Sequence, residues 1–200
     1  MDRKTEIALA TLELAAEKGL GTVSMQQIAD RVGITKASLY NHYSSKDEIV
    51  EAMYGILRKA SKDKAELVET DYDKLVASGS PQSVLMAAIS SYMVIVNEPH
   101  MLQFYKIMMS ERPISPVAAE IMVRETRTMI DATRSLFSAM NAAGKADFPD
   151  VDAAAFSFAM AVHSIIDFRF DLAKSGMGSG DGAIEGFIRE FCRAYNIQGE

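Results

Sequence analysis

The stretch SMQQIADRVGITKASLYNHYSSK, from Ser24 to Lys46, reads as two short helices meeting at a glycine. Ser24 followed three residues later by Gln27 is a capping box, so the first helix opens there. Ile28, Ala29 and Val32 give that helix one apolar face. Gly33 ends it, because the position just past a helix end often needs the left-handed conformation, which glycine adopts without a Cβ penalty. Ile34 then fills the angle between the helices, and Thr35 caps the second. In that second helix Leu39 and Tyr43 turn inward, leaving Thr35, Lys36, Ser38, Tyr40 and His42 outward with donors, a cation and a ring. Such a face suits the major groove of DNA. A small residue at Ala29, a glycine four later and apolar Leu39 six after that are what two closely crossing helices require. An ordinary corner in a helical protein, with Tyr40 and His42 as plain surface residues, remains the alternative for this stretch alone.

The flanks extend the pattern. Upstream, TEIALATLELAAEKGLGTVSM (5–25) offers an amphipathic helix carrying Ile7, Leu9, Leu12 and Leu14 and ended by Gly19; downstream, Ser45 to Glu48 is a second capping box opening a long helix. With these in place, residues from about Thr5 to Val50 resemble the DNA-binding domain of the TetR family of transcriptional regulators, most closely over LELAAEKGLGTVSMQQIADRVGITKASLYNHYSSKDEIV (12–50). The resemblance covers about a quarter of the chain. Two positions depart from it: Ala15 stands where the family usually has phenylalanine, which implies a different local core, and Gln26 stands where arginine is common, which removes one phosphate contact. The resemblance implies a DNA-binding set of Ser24, Gln26, Thr35, Lys36, Ala37, Ser38, Tyr40, His42 and Lys46. It also implies an all-α fold: a three-helix DNA-binding domain over 1–46, then a helical ligand-binding and dimerisation domain over 47–200, joined by the long helix from about 47.

Composition bounds the rest. With 200 residues and 48% hydrophobic content the chain can bury a substantial core. No apolar run of about 18 residues and no charged-then-apolar leader is apparent, so a cytoplasmic chain without a membrane partner is expected. The single cysteine, Cys192, lies near Phe187, Ile188 and Phe191 and reads as buried filler. The net charge of −6 argues at first against a nucleic-acid partner. Residues 1–62, however, carry nine Lys or Arg against eight Asp or Glu, a net +1, whereas the remainder carries twelve against nineteen, a net −7. Screening acts over about 8 Å at physiological salt, so the local surface counts for more than the total. Arg31, Lys36 and Lys46 against Asp30 make a modest basic patch, and tight binding then needs two subunits.

Punctuation divides the remainder into helices: from about Asp47 to Val76, from Pro81 to about Asn97, from His100 to Glu111, from Pro116 to about Ala143, from Asp150 to about Lys174, and from Ala183 to Tyr195, about nine helices in all. The penultimate one is apolar almost all round from Ala153 to Ile166, which predicts burial. Phe156, Met160 and His163 on that helix, with Phe187, Ile188 and Phe191 on the last, are the expected homodimer interface. Eight of the 13 methionines fall between Met86 and Met140, and the expected effector pocket is lined by Met86, Tyr92, Met93, Phe104, Tyr105, Met108, Met122 and Met129. Polar handles within reach are Arg124, Arg127, His100, His163 and Asp167. His163, Asp167 and Asp171 recur every four residues, but ligands eight apart lie about 12 Å apart along a helix, too far to share an ion. Neither metal nor cofactor is expected.

The reading is a homodimeric repressor that binds a palindromic double-stranded DNA operator and is released by a small apolar or amphipathic effector. The alternatives are a helical enzyme or an assembly protein with an incidental helix-turn-helix. The sequence offers an enzyme no nucleophile elbow, no HExxH, no phosphate-binding loop and only three scattered histidines, His42, His100 and His163.

Overall fold

The computed structural model describes residues 2–64, 71–77 and 79–195. Among these, every regular element is helical: ten α-helices and one 310 turn. Side-chain caps set most boundaries. Helix α1 (Arg3–Lys18) opens on Asp2, whose carboxylate accepts the Thr5 N–H at 2.9 Å, and it closes at Gly19, φ +84°. A 310 turn (Leu20–Thr22) leads to α2 (Met25–Val32), where both halves of the Ser24–Gln27 capping box are formed. Helix α3 (Lys36–Tyr40) starts behind Thr35, whose hydroxyl accepts the Ser38 N–H at 3.1 Å.

At the start of α4 (Lys46–Lys64), the Ser45 hydroxyl accepts the Glu48 N–H at 3.1 Å. The reciprocal half of that box is displaced by one residue, because the Glu48 carboxylate accepts the N–H of Ser44 at 2.6 Å and its hydroxyl at 2.8 Å. Those two donors hold the Glu48 carboxyl below its ordinary pKa. The expected single helix from Asp47 to Val76 is corrected. Helix α4 is described to Lys64, residues 65–70 lie outside the described residues, and a separate α5 (Tyr72–Ala77) opens behind Asp71, which accepts the Lys74 N–H at 3.0 Å. This accounts for ten helices where nine were expected.

The proline and glycine punctuation holds further on. Helices α6 (Pro81–Val96), α7 (Pro99–Glu111) and α8 (Pro116–Ala142) each begin at a proline, where a missing N–H costs nothing. Glu98 caps α7 and Ser115 caps α8. Helix α9 (Val151–Ser175) is capped by Asp150 and closed by Gly176, and α10 (Ala183–Ala194) follows the glycine-rich loop.

Two compact units are built from these helices. The first comprises Met1–Val68 with Tyr92–Arg124, the second Glu69–Ser91 with Glu125–Glu200, so α6 and α8 each contribute to both. In the first unit α1 packs against α2, α4 and α7 over a core that includes Ile7, Leu12, Ile28, Leu39, Ile49 and Phe104. Arg31 ties α2 to α1 through Glu13 at 3.2 Å and Glu17 at 2.9 Å. Arg124 binds Glu51 of α4 through two bonds of 2.5 and 2.8 Å, with its guanidinium 5.1 Å from the centroid of the Tyr54 ring.

In the second unit Phe137 stacks on Phe148 at 4.2 Å, and Phe158 and Phe191 close the cluster edge-on at 4.9 Å. Asn141 fixes the Phe148 backbone by donating to its carbonyl and accepting its N–H. Cys192 is buried in this unit, and burial pushes its thiol pKa up. Helix α9 departs from expectation twice. It is long and apolar enough, by length and mean hydropathy, to cross a bilayer. It is also not buried all round: Ala154, Ala155, Phe158, Ala159, Val162 and Ile166 face inward, whereas Phe156 and Phe168 are 54% and 57% exposed.

Candidate functional site

The turn between α2 and α3 is built by backbone geometry. Gly33 adopts φ +74°, ψ +34°, and the Ile34 N–H reaches back to the Ala29 carbonyl at 3.0 Å, the long bond of a Schellman closure. A side chain other than glycine would be strained at that φ. Ile28, Ala29 and Leu39 are fully buried beneath the turn, so the angle between the helices is fixed by packing from below.

On the other side α3 presents Thr35, Lys36, Ala37 and Tyr40 to solvent, with Ser38 half-buried among them. Tyr40 is 47% exposed, and the Lys36 ammonium lies 6.0 Å from its ring centroid. The helix ends at Tyr40, one turn earlier than expected, so His42 lies half-buried in the following turn. Tyr43 is buried, and its hydroxyl donates to the Lys4 carbonyl at 3.4 Å. Burial is the main cause of its raised phenol pKa.

Three expected contacts are already occupied. Lys46 donates from Nζ to the carbonyls of Leu20 and Val23 at 2.9 and 3.0 Å, which braces the start of α4 against the 310 turn. Gln26 donates to Asp30 at 2.7 Å, and the Ser24 hydroxyl serves the cap. Arg31, counted in the basic patch, is held by Glu17 and Glu13, and those carboxylates raise its pKa. Lys4, outside the expected set, holds its ammonium 5.4 Å from the Tyr43 ring centroid, just past the end of α3. Its signal was present: Arg3 and Lys4 open α1, but nothing local says that α1 begins next to Tyr43. Ala15, the departure from the family pattern, lines with Ala16 and Gly19 of the α1 end and Lys106 and Ile107 of α7 a groove of about 350 Å³.

The expected pocket residues divide between the units. Tyr92, Met93, Phe104, Tyr105, Met108 and Met122 belong to the first, Met86 and Met129 to the second. Phe104, Tyr105, Met108, Met122 and Met129 are buried, and Met86, Tyr92 and Met93 half-buried. Of the polar handles, Arg124 is paired with Glu51, while Arg127 and His100 are exposed. His163 Nε2 lies 3.6 Å from Asp167. Among the interface residues, Phe156 is exposed and Met160, His163 and Phe187 are half-buried, but Ile188 and Phe191 belong to the chain's own core. The physical reason is the aromatic cluster: Phe191 lies within 5.8 Å, centroid to centroid, of Phe137, Phe158 and Phe187.

Comparison with known proteins adds to this geometry. The sequence pattern of bacterial regulatory proteins of the tetR family matches residues 7–53, and that of the AefR-like transcriptional repressor C-terminal domain matches residues 83–197. The HTH-type transcriptional repressor KstR2 of Rhodococcus jostii is 35% identical over 87 residues, 44% of this chain and 39% of the repressor, so the match spans about two-fifths of that relative's length. A TetR-family transcriptional regulator from Mesorhizobium loti superimposes with a TM-score of 0.70 at 17% identity, covering 98% of this chain and 99% of the other. The structure of a SmeT–triclosan complex also gives a TM-score of 0.70, at 15% identity over 96% of this chain and 90% of that one.

Proposed function

From the fact that the chain belongs to the TetR family of bacterial regulatory proteins, we infer that it is a transcriptional repressor, acting in the cytoplasm as a homodimer on a palindromic operator and released by a small molecule. The observation that carries this is the α2–Gly33–α3 turn. Its buried underside fixes α3, and its outer face offers Thr35, Lys36, Ala37 and Tyr40 in a row suited to base edges and phosphates. Thr35, Lys36 and Ser38 approach the bases. Tyr40, His42 and Lys4 hold the backbone, and Lys46, already committed to two carbonyls, acts chiefly as a brace.

A single head has few free cations, so it neutralises few phosphates. Two heads bound to half-sites about 34 Å apart supply what one cannot. The outward stripe of α9, with Phe156, Met160 and His163, and half-buried Phe187 on α10 are the apolar surface through which a second copy joins. The effector is taken by the helical part of the chain that follows the reading head, and it shifts the population away from the DNA-competent spacing. Near-complete reversal of occupancy requires the ligand to prefer the released state by about 5.5 kcal/mol. The KstR2 match supports repression, and the neighbour solved with triclosan supports a small-molecule effector.

Selection from a pool of randomised duplexes by the full chain tests the reading. Enrichment of an inverted repeat is expected; an unenriched pool after several rounds, with folded protein, would overturn it.

A further inference from the structure

Lys36 differs from the other basic residues around the α2–α3 turn in what it touches. Arg31 is held by Glu13 and Glu17, and the Lys46 ammonium donates to the carbonyls of Leu20 and Val23. Lys36 is exposed at the first position of α3, and beside its ammonium, 6.0 Å from the centroid, is the ring of Tyr40 one turn on. A ring at that distance orients a cation without neutralising it. From Gly33 to Lys46 the sequence carries no Asp or Glu, so no acid on α3 itself cancels the charge.

The neighbours of Lys36 in the first turn are short. The Thr35 hydroxyl oxygen accepts the Ser38 N–H at 3.1 Å to cap the helix, which leaves Thr35 a methyl group and a hydroxyl proton for a partner. Exposed Ala37 has a methyl group alone. Asn41 carries the one side-chain amide between Gly33 and Lys46, and it stands past the last helical residue, at the end of α3 away from Lys36. In a helix-turn-helix the N-terminal residues of the second helix are the ones that meet base edges. From Thr35 to Ala37 that turn presents a cation and two methyl groups, with neither a carboxylate nor an amide.

We propose that α3 reads a guanine beside a thymine, Lys36 donating to O6 and N7 of the guanine and the methyl groups of Thr35 and Ala37 packing on the C5-methyl of the thymine. Each base pair shows a distinct edge in the major groove: guanine offers two acceptors, which a cation satisfies, and thymine a methyl group, which an apolar contact detects. Adenine is matched by Asn or Gln and cytosine by Asp or Glu, the two kinds of side chain this turn lacks. An ammonium set against the amino group of cytosine opposes donor to donor, so cytosine is rejected as well as guanine preferred. On the reading of the chain as a DNA-binding regulator, on which this proposal rests, each operator half-site contains such a guanine and thymine, and Lys36 is the residue that specifies the guanine.

Selection from randomised duplexes, run in parallel on the unmodified chain and on Lys36→Gln, tests this. The unmodified chain is expected to enrich half-sites with guanine beside thymine. Lys36→Gln, whose amide suits N6 and N7 of adenine, is expected to exchange that guanine for adenine and to leave the other positions as they were. On the selected duplex, 7-deazaguanine in place of the guanine removes the N7 acceptor and is expected to weaken the unmodified chain about fivefold or more, and Lys36→Ala hardly at all. Uracil in place of the thymine removes the methyl group alone and is expected to weaken binding about fourfold. Should Lys36→Gln select nothing, the two substituted duplexes on the unmodified chain still decide. A half-site without guanine beside thymine, a Lys36→Gln that keeps the guanine, or undiminished binding to either substituted duplex overturns the proposal and leaves the regulator reading in place. A folded chain that selects no duplex at all loses the regulator reading and this proposal together.

Discussion

Lys36 and Lys46 lie at opposite ends of the reading segment and have opposite fates in the structure. Lys36 is exposed beside Tyr40, whereas Lys46 spends two of its three donors on Leu20 and Val23. Lys36→Ala should therefore cost about 1–3 kcal/mol on the preferred operator and much less on random duplex, measured by anisotropy titration. Equal losses on both would remove Lys36 from base readout. Lys46→Met should act on the fold, lowering the thermal midpoint by the equivalent of about 1.5–3 kcal/mol. It should change the slope of log affinity against log salt by clearly less than one unit, and a full unit lost with no change in melting would return Lys46 to the phosphates. The residue types at these positions were legible in the sequence. Which donors were already spent was not, because the partners of Lys46 lie 23 and 26 residues away and those of Arg31 lie on another helix.

Helix boundaries were legible wherever a local device sets them. Ser24 with Gln27, Gly33, Thr35, and the prolines at 81, 99 and 116 act within one turn of the chain, and the structure places helix ends at each. The start of α5 at Asp71 was missed because its cap is one acid in a stretch of alternating charges with no glycine or proline to mark it. Replacing Ser24 by Ala removes the acceptor of the Gln27 N–H and should cost about 1 kcal/mol in denaturant unfolding. No change would mean that solvent caps α2 equally well. The brace between α4 and α8 gives a pH signature. Arg124 holds the Glu51 carboxyl below its ordinary value of 4.5, so the pair contributes fully above that pH and loses its contribution as pH falls through the lowered value. Both side chains are more than a third exposed, which limits the effect to about 0–1 kcal/mol. Glu51→Gln should lower the midpoint at neutral pH slightly and make its decline below pH 4.5 shallower; an unchanged acid profile would show that the pair carries no stability.

At the scale of the whole molecule the sequence pattern ran out soonest. Periodicity identified α9 as apolar on every side, but only three-dimensional packing distinguishes the face that meets Phe137 and Phe191 from the face that carries Phe156 and Phe168. The interface proposal consequently separates two substitutions. Phe156→Asp should leave a folded chain that sediments as a monomer, whereas Phe191→Asp, which forces a charge into the aromatic cluster, should unfold it. A stable Phe156→Asp dimer would move the interface elsewhere. The proposed dimer matters because each head offers few exposed cations, so that two heads would read one operator together. The direct measurement is an anisotropy titration of the chain against three labelled duplexes of equal length: the selected palindrome, a single half-site in scrambled flanks, and a fully scrambled sequence. Two chains per palindrome are expected, with binding at least a hundredfold weaker to the half-site and weaker still to the scrambled duplex; equal affinity for all three would mean that the two heads do not read one operator together.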